Sequence, residues 1–117
     1  MNKRRVGAQY EDLAARCLEE KGYRILERNY RCRQGEIDLI ALDGRCLVFV
    51  EVKYRRDGRS GDPAEAVNFR KQRRIIRTAA YYCYNKNIGE SHPCRFDVVS
   101  VLGSEVRHIE NAFIYQG

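Results

Sequence analysis

The sequence lacks the close pairs of cysteine and histidine that hold zinc. Its five cysteines stand at positions 17, 32, 46, 83 and 94, so no two form a CxxC pair, and His92 and His108 add no ligand spacing. Structural zinc sites require such spacing. Cys17, Cys46 and Cys83 fall in apolar patterns and are interpreted as small core residues. We therefore expect no zinc, structural roles for both histidines, and a reducing, cytoplasmic location.

No apolar run approaches the length of a membrane span, and no internal repeat or low-complexity tract is present. A helix needs about 20 consecutive apolar residues to cross a bilayer. The basic start is followed by a charged helical pattern, which argues against a signal peptide. We expect one domain over residues 1–117 with no membrane partner, since this length suffices for one modest core.

Negative charge is the minority. The chain has 22 lysines and arginines against 16 aspartates and glutamates, a net charge of +6, and arginine outnumbers lysine 17 to 5. The planar guanidinium group of arginine suits bidentate contacts with phosphate. This balance favours a polyanionic partner such as nucleic acid, although ribosomal and membrane-surface proteins share it.

Periodicity and turn signals predict the element order α-β-β-β-α-β-β. A first helix spans about 7–21 and ends at Gly22, and a first strand spans 23–31. Strands at 36–40 and 46–53 form a hairpin. A capping box at 62–65 starts the second helical region, with a kink or a second helix near 68–71, and strands follow at 95–102 and 106–114. The fold class is α/β (α+β by stricter naming), a mixed sheet flanked by helices.

Charged residues interrupt the two apolar strands of the hairpin. The run GEIDLIALDGRCLVFVEVK carries Glu36, Asp38, Glu51 and Lys53. Side chains alternate between the two faces of a strand. Glu51 and Lys53 therefore share the face of Leu47 and Phe49, opposite the face of the valines. On the preceding strand, Asp38 shares a face with Glu36, whereas Ile37 and Leu39 point the other way.

The turn residues set how the two strands pair. Asp43 and Gly44 form a typical two-residue hairpin turn. With this turn the numbers of opposed residues sum to 87, so that Asp38 faces Phe49 and Glu51 faces Glu36. Asp38 and Glu51 then lie near one end of one face, separated by roughly 5–8 Å. One cation bridges such a distance.

This arrangement predicts metal-assisted hydrolysis of a phosphodiester. Mg²⁺ prefers oxygen ligands, and Asp38, Glu51 and the backbone carbonyl of Val52 supply three. Lys53 can orient an attacking water or stabilise charge in the transition state, and Mn²⁺ suits the same ligands. The alternative is a solvated strand face with a simple Glu51–Lys53 ion pair, and Glu36 fits a solvated position equally well. Asp97 occupies a similar strand position, but nothing adjacent completes a second site.

Two basic segments follow the hairpin. A polar, glycine-interrupted loop carries Arg55, Arg56 and Arg59, and the helix after it carries Arg70, Lys71, Arg73, Arg74 and Arg77. Five cations within eight helical residues repel one another, and a polyanion would relieve that repulsion. We expect these residues to hold a nucleic-acid backbone, with a solvated loop and helix face as the alternative. Lys71 and Gln72 face differently from most of the arginines and could reach the site.

At these residues the chain resembles the PD-(D/E)xK nuclease superfamily. Asp38 matches the first acid, preceded here by Ile37 rather than proline, and Glu51-Val52-Lys53 matches the (D/E)xK tripeptide. The segments RNYRCRQGEIDLIALDG, LVFVEVKYR and KQRRI are similar to the bacterial YraN-like family, and the similarity runs from Gly7 to Phe113. The resemblance implies a restriction endonuclease-like fold, as in archaeal Holliday junction resolvases.

The resemblance also implies a fuller site and a substrate. Glu11 matches a glutamate of the first helix that completes the metal site, and a helical wheel puts it beside Leu18 at the edge of the buried stripe. A helix-surface glutamate is the alternative. The implied activity is an Mg²⁺- or Mn²⁺-dependent DNA endonuclease, with branched or junction DNA as the substrate and a homodimer as the assembly. An RNA substrate stays open, since phosphate contacts do not distinguish the sugars. So does a binding module that holds nucleic acid without cutting it.

Overall fold

The computed structural model describes residues 3–55 and 68–113, with the side chains of 7–54 and 68–113. Its elements are α1 (Lys3–Glu20), β1 (Arg24–Cys32), β2 (Gly35–Asp43), β3 (Cys46–Arg55), α2 (Phe69–Asn85), β4 (Cys94–Leu102) and β5 (Glu105–Phe113). The strands form one sheet in the order β1-β2-β3-β4-β5, in which only β3 and β4 are parallel. The predicted element order and mixed sheet are confirmed. Neither described helix is long and apolar enough to span a membrane.

Each helix packs against the sheet through its own cluster of buried side chains. Leu47 and Phe49 of β3 pack with Ile75 of α2, whereas Val48 and Val50 pack with α1. The alternation predicted for β3 is therefore confirmed, with one helix on each side of the strand. The three cysteines predicted in the core (Cys17, Cys46, Cys83) are only half-buried, and all five cysteines are free thiols.

Local signals fix one end of each helix. Gly22 follows α1 with a φ of 93°, and the amide of Tyr23 donates to the carbonyl of Leu18 at 3.0 Å, which ends the helix as predicted. α1 begins at Lys3, four residues earlier than the sequence indicates. Asn68 caps α2, because its side chain accepts a hydrogen bond from the amide of Lys71. The break predicted near 68–71 thus coincides with a helix start, and the capping box at 62–65 lies outside the described residues.

The predicted register of the hairpin is wrong. Asp43 pairs with Cys46 and Leu39 pairs with Val50, so opposed numbers sum to 89 rather than 87. The turn residues are Gly44 and Arg45, and Gly44 has a φ of 59°. A glycine with positive φ at the first central position is what a type II′ turn requires, so the turn forms one residue later than expected. A change of two in this sum keeps Ile40 of β2 on the same face of the sheet as Leu47 and Phe49 of β3, as predicted.

The predicted alternation of β2 also fails, and it fails at Asp38. Ile37 packs in the cluster of α2 together with Ile40, whereas Leu39 packs in the cluster of α1. On the neighbouring strand, Asn29 has a φ of 53°, a left-handed conformation that asparagine tolerates better than most residues. Asn29 lies between Arg28 and Tyr30, which pair with Leu39 and Ile37, so it is opposite Asp38. Asp38 therefore lies at the point where β2 changes the faces of its side chains.

Candidate functional site

Asp38 is half-buried where the regular pairing of β2 and β3 ends. Its Oδ2 accepts a hydrogen bond of 2.7 Å from the amide of Val52 on β3. Burial, together with the charges of Glu51, Glu11 and Glu36, raises the pKa of Asp38 to about 7, against the lowering effect of the hydrogen bond from the Val52 amide. Continuing the observed register brings Asp38 opposite Glu51. Asp38 and Glu51 thus adjoin at the irregular end of β2, rather than on the regular face that was predicted, and Glu11 and Glu36 act on Asp38 through their charges.

Two ammonium groups meet on one oxygen of Glu51. The Glu51 side chain is only 8% exposed, and its Oε1 lies 2.7 Å from Nζ of Lys71 and 3.8 Å from Nζ of Lys53. Burial, together with the nearby Lys71, lowers the pKa of Lys53. Burial acts the same way on Lys71, but its hydrogen bonds, the one to Glu51 foremost, raise its pKa overall. The Glu51 carboxylate is therefore paired with two ammonium groups.

The first turn of α2 brings Lys71 to this point. Asn68 holds the Lys71 amide at 2.9 Å, and the turn contains no acidic residue. Gly35, at the start of β2, lets the helix approach closely: a Cβ there would lie 2.9 Å from the side chains of both Arg74 and Thr78, at a φ of 148°. The helix is consequently seated against the end of the β1–β2 hairpin.

An open groove of about 760 Å³ begins at Glu51 and runs between α2 and this hairpin. Its charged lining residues are Arg31, Glu36, Glu51, Arg70, Lys71 and Arg74. Four of these six are cations, and both acids are ion-paired, since Glu36 accepts from Nε of Arg31 at 2.9 Å. The groove is therefore a basic surface that leads to the candidate site.

The remaining residues of the predicted basic surface lie in different surroundings. Arg73 lies over the ring of Phe69, with the guanidinium carbon 5.4 Å from the ring centroid. Arg77 is exposed and Gln72 is half-buried on the same helix. Arg56 and Arg59 lie outside the described residues, and Arg55 ends β3 without a described side chain. The prediction for the loop at 55–59 thus stays a prediction.

The oxygen ligands near Asp38 fit Mg²⁺ or Mn²⁺ in their chemistry. Among residues 3–55 and 68–113, no three His, Cys, Asp or Glu side chains are grouped closely enough to form a ready-made metal cage. Mg²⁺ does not require one, because it keeps several waters and takes one or two carboxylates together with phosphate oxygens. Asp38 and Glu51 supply two carboxylates, and a cation between them would favour ionisation of Asp38 against its burial and the charge of Glu51, both of which raise its pKa.

Reasoning from the sequence missed a second polar network, around Asp97. Asp97 is fully buried and accepts from Nε of Arg95 at 3.0 Å and from the amide of Asn111 at 2.9 Å. Nε2 of His108 lies 2.7 Å from its other oxygen, and Nδ1 of His108 lies 2.8 Å from Nζ of Lys21. Because an ammonium only donates, His108 accepts at Nδ1 and donates from Nε2. This network joins α1, β4 and β5, which supports the structural interpretation of His108.

The pattern Arg95-x-Asp97 was the available signal for this network. Residues i and i+2 share a face of a strand, and Arg95 reaches Asp97 in this way. Burial opposes ionisation of Asp97, but the hydrogen bonds from His108, Arg95 and Asn111 hold its pKa below the usual value. His108 and Asn111 could not be assigned to it without the β4–β5 register.

Comparison with known proteins gives a consistent family assignment without an activity. Residues 10–101 match the model of the "Uncharacterised protein family UPF0102". The chain is 55% identical to a UPF0102 protein of Lachnoclostridium phytofermentans, with 97% of this chain and 96% of the other covered. It is 49% identical to one of Alkaliphilus oremlandii, with coverage of 97% and 100%. A UPF0102 protein of Symbiobacterium thermophilum is 53% identical, with coverage of 94% and 97%.

Proposed function

The chain belongs to the UPF0102 family, the YraN-like family that it resembles in sequence, and we propose that it is a metal-dependent endonuclease that hydrolyses phosphodiester bonds of DNA. One observation carries the proposal. Asp38 accepts a hydrogen bond of 2.7 Å from the amide of Val52, the residue that follows Glu51, and Nζ of Lys53 lies 3.8 Å from Oε1 of Glu51. Asp38, Glu51 and Lys53 match the first acid and the (D/E)xK tripeptide of the nuclease superfamily that the chain resembles, and the two carboxylates suit a metal that assists phosphodiester hydrolysis.

Each of these side chains has a chemical task in the proposed reaction. Asp38, Glu51 and the Val52 carbonyl would hold Mg²⁺ or Mn²⁺, with Glu11 contributing from α1. When bound, the cation supplies positive charge to the phosphate and lowers the pKa of a coordinated water. Lys53, whose own pKa is lowered, orients the attacking water or stabilises the charge that develops on phosphorus oxygens. The Val52 amide keeps the Asp38 carboxylate in a fixed orientation.

The basic groove supports nucleic acid as the substrate. Arg31, Arg70, Lys71 and Arg74 line it beside Glu51, and a net charge of +6 assists encounter with a polyanion. We propose DNA, with branched or junction DNA as the preferred form and a homodimer as the assembly. Both details derive from the resemblance to junction resolvases, since two-fold junctions suit an enzyme with two equivalent sites.

A nucleic-acid-binding module without cleavage is the second candidate. The observation that favours it is the pairing of Glu51 with both Lys53 and Lys71, because this carboxylate is already neutralised without a metal. Such a module would bind nucleic acid with strong salt dependence. It would have no use for Asp38 beside Glu51.

Cleavage of labelled substrates separates the two candidates. The purified chain is incubated with four-way junction, linear duplex and single-stranded DNA, and with the corresponding RNA strands, in Mg²⁺, in Mn²⁺ and in EDTA. The nuclease proposal predicts metal-dependent products that disappear in Asp38→Asn and Lys53→Ala. Lys86→Ala, which removes a lysine from the far end of α2, is the matched control. Cleavage that survives both substitutions contradicts the mechanism, and salt-sensitive binding without cleavage selects the module.

A further inference from the structure

We propose that Lys71 is the counterion that Glu51 exchanges for the metal, and that the released ammonium then binds the substrate phosphate. This inference rests on the proposed function. It makes Lys71 a positioning residue that couples metal binding to substrate binding, rather than one more cation of the basic surface.

The distances support a competition at one atom. Nζ of Lys71 lies 2.7 Å from Oε1 of Glu51, and Nζ of Lys53 lies 3.8 Å from the same oxygen. The Glu51 side chain is almost enclosed, at 8% exposure, so a cation that enters through this oxygen meets both ammonium groups in poorly screened surroundings. One ammonium group has to withdraw when a divalent cation binds.

Lys71 is the group that is free to withdraw. Its side chain is 39% exposed, against 24% for Lys53, and Lys53 is anchored in a strand that pairs with β4 on one side. Lys71 also lines the groove together with Arg31 and Arg74, so a rotation of its side chain away from Glu51 carries the ammonium along the proposed path of the substrate.

The position of Lys71 in the first turn of α2 favours binding of an anion by the released ammonium group. A helix N-terminus carries partial positive charge, which makes a cation in the first turn unfavourable. This turn contains no acidic residue, and Arg70, Arg73 and Arg74 are close by in sequence. Glu51 compensates for this concentration of positive charge in the free protein. A phosphate is the ligand that would compensate for it once Glu51 has turned to the metal.

The charge balance implies cooperativity. Lys53 and Lys71 already lie beside Glu51 in the free protein, so a divalent cation alone adds two positive charges to a site that holds two ammonium groups. A phosphodiester restores part of the balance, and metal and phosphate should therefore raise each other's affinity. Without a positive charge at position 71, the metal should bind more tightly on its own, and its coupling to the anion should weaken.

Titration calorimetry with MnCl₂ on the full chain, without nucleic acid, tests this inference apart from activity. We expect Lys71→Met and Lys71→Gln to bind Mn²⁺ about fivefold more tightly than the wild-type chain, at the low end of typical coupling between ligands. Lys71→Gln keeps a hydrogen-bond donor for Glu51, so it covers the case in which Lys71→Met fails to fold. Lys86→Met is the matched control, since it removes the same charge from the C-terminal end of α2, and its affinity should equal that of the wild type.

Sulfate, used as a tetrahedral stand-in for phosphate at constant ionic strength, tests the proposed coupling between metal binding and anion binding. It should raise the Mn²⁺ affinity of the wild-type chain more than that of the two Lys71 variants. Equal or weaker Mn²⁺ binding in the folded variants, or an equal effect of sulfate on all proteins, would overturn the role of Lys71 while leaving the metal site intact. Mn²⁺ binding that is absent from every protein, or that survives Asp38→Asn unchanged, would instead overturn the proposed function.

Discussion

The carboxylate of Asp38 and the amide of Val52 are joined by a hydrogen bond of 2.7 Å where the regular pairing of β2 and β3 has ended. The side chain of one strand thus takes over the role of a backbone partner for the other. This hydrogen bond fixes the Asp38 carboxylate beside the residue that follows Glu51. The site is built on a strand distortion, and that has consequences for stability as well as for chemistry.

Asp38→Asn should stabilise the metal-free protein at alkaline pH. The pKa of Asp38 is raised from 3.8 to about 7, so the folded state binds a proton that the unfolded state releases between these values. Its contribution to stability is present below pH 4 and is lost as the pH rises through about 7. In EDTA, we expect the variant to gain on the order of 2 kcal/mol at pH 8 and little at pH 4, measured by urea unfolding. A loss of stability at pH 8 would show that burial and the neighbouring acids do not disfavour the Asp38 carboxylate.

Gly35→Ala should destabilise the protein and disturb the groove. A Cβ at this position would lie 2.9 Å from the side chains of Arg74 and Thr78, and the φ of 148° is strained for any residue with a side chain. We expect a loss of about 1–3 kcal/mol in the free energy of unfolding, measured with urea. Gly7→Ala is the control, because nothing lies within 4 Å of a Cβ there, and it should be neutral or stabilising. A neutral Gly35→Ala would contradict the close packing of α2 on the hairpin.

Asp97→Asn should destabilise the fold above pH 4 without a direct effect on the metal site. Hydrogen bonds hold the pKa of Asp97 below its usual value, so its contribution is present above the unfolded pKa and is lost as the pH falls through the folded one. Replacement removes the carboxylate that Arg95, His108 and the Asn111 amide share, whereas Arg95 keeps its ion pair with Asp43 at 2.9 Å, so we expect a cost of about 1–3 kcal/mol. Urea unfolding between pH 3 and pH 7 measures this. If the free energy of unfolding of the variant falls with decreasing pH as much as that of the wild type, the Asp97 network is not the source of this pH dependence.

Arg74→Gln should weaken nucleic-acid binding and reduce its salt dependence. Arg74 lines the groove beside Glu51, whereas Arg107 is exposed on β5 and provides a control of equal charge. Each lost phosphate contact should lower the slope of log K against log salt by about 1. Fluorescence anisotropy with a labelled duplex in EDTA, at several salt concentrations, measures the slope. If Arg107→Gln changes the slope as much as Arg74→Gln does, binding is not directed to the groove.

The helices and strands could be predicted because their signals are local in the sequence. The details of the site could not, because they depend on tertiary packing. The alternation of apolar residues in β3 correctly assigned Phe49 and Val50 to opposite faces. The register could not be derived, since Gly44 satisfies a hairpin turn from either central position. The distortion at Asn29 and Asp38 has no periodic signature, because asparagine only permits a positive φ.

The ion pair between Lys71 and Glu51 could not be predicted from the sequence either. Five cations in the stretch 70–77 looked alike as a sequence pattern, and Lys71 differed only in the direction it faces. The contact of 2.7 Å with Glu51 depends on the N-cap at Asn68 and on the closeness of α2 to the hairpin at Gly35. Both conditions belong to the packed structure.

The most direct test of the central claim is Mn²⁺-dependent cleavage of a labelled four-way junction by the wild-type chain and by Lys53→Ala, with Lys86→Ala alongside. Lys53 stands at the carboxylate pair, whereas Lys86 lies at the opposite end of α2. A metal-dependent nuclease with Lys53 in its active site should show cleavage by the wild type and by Lys86→Ala, and a loss of at least about 100-fold in Lys53→Ala, in the range for removal of one charge-stabilising group. Equal cleavage by all three proteins, or none by the wild type in any metal, would contradict this claim.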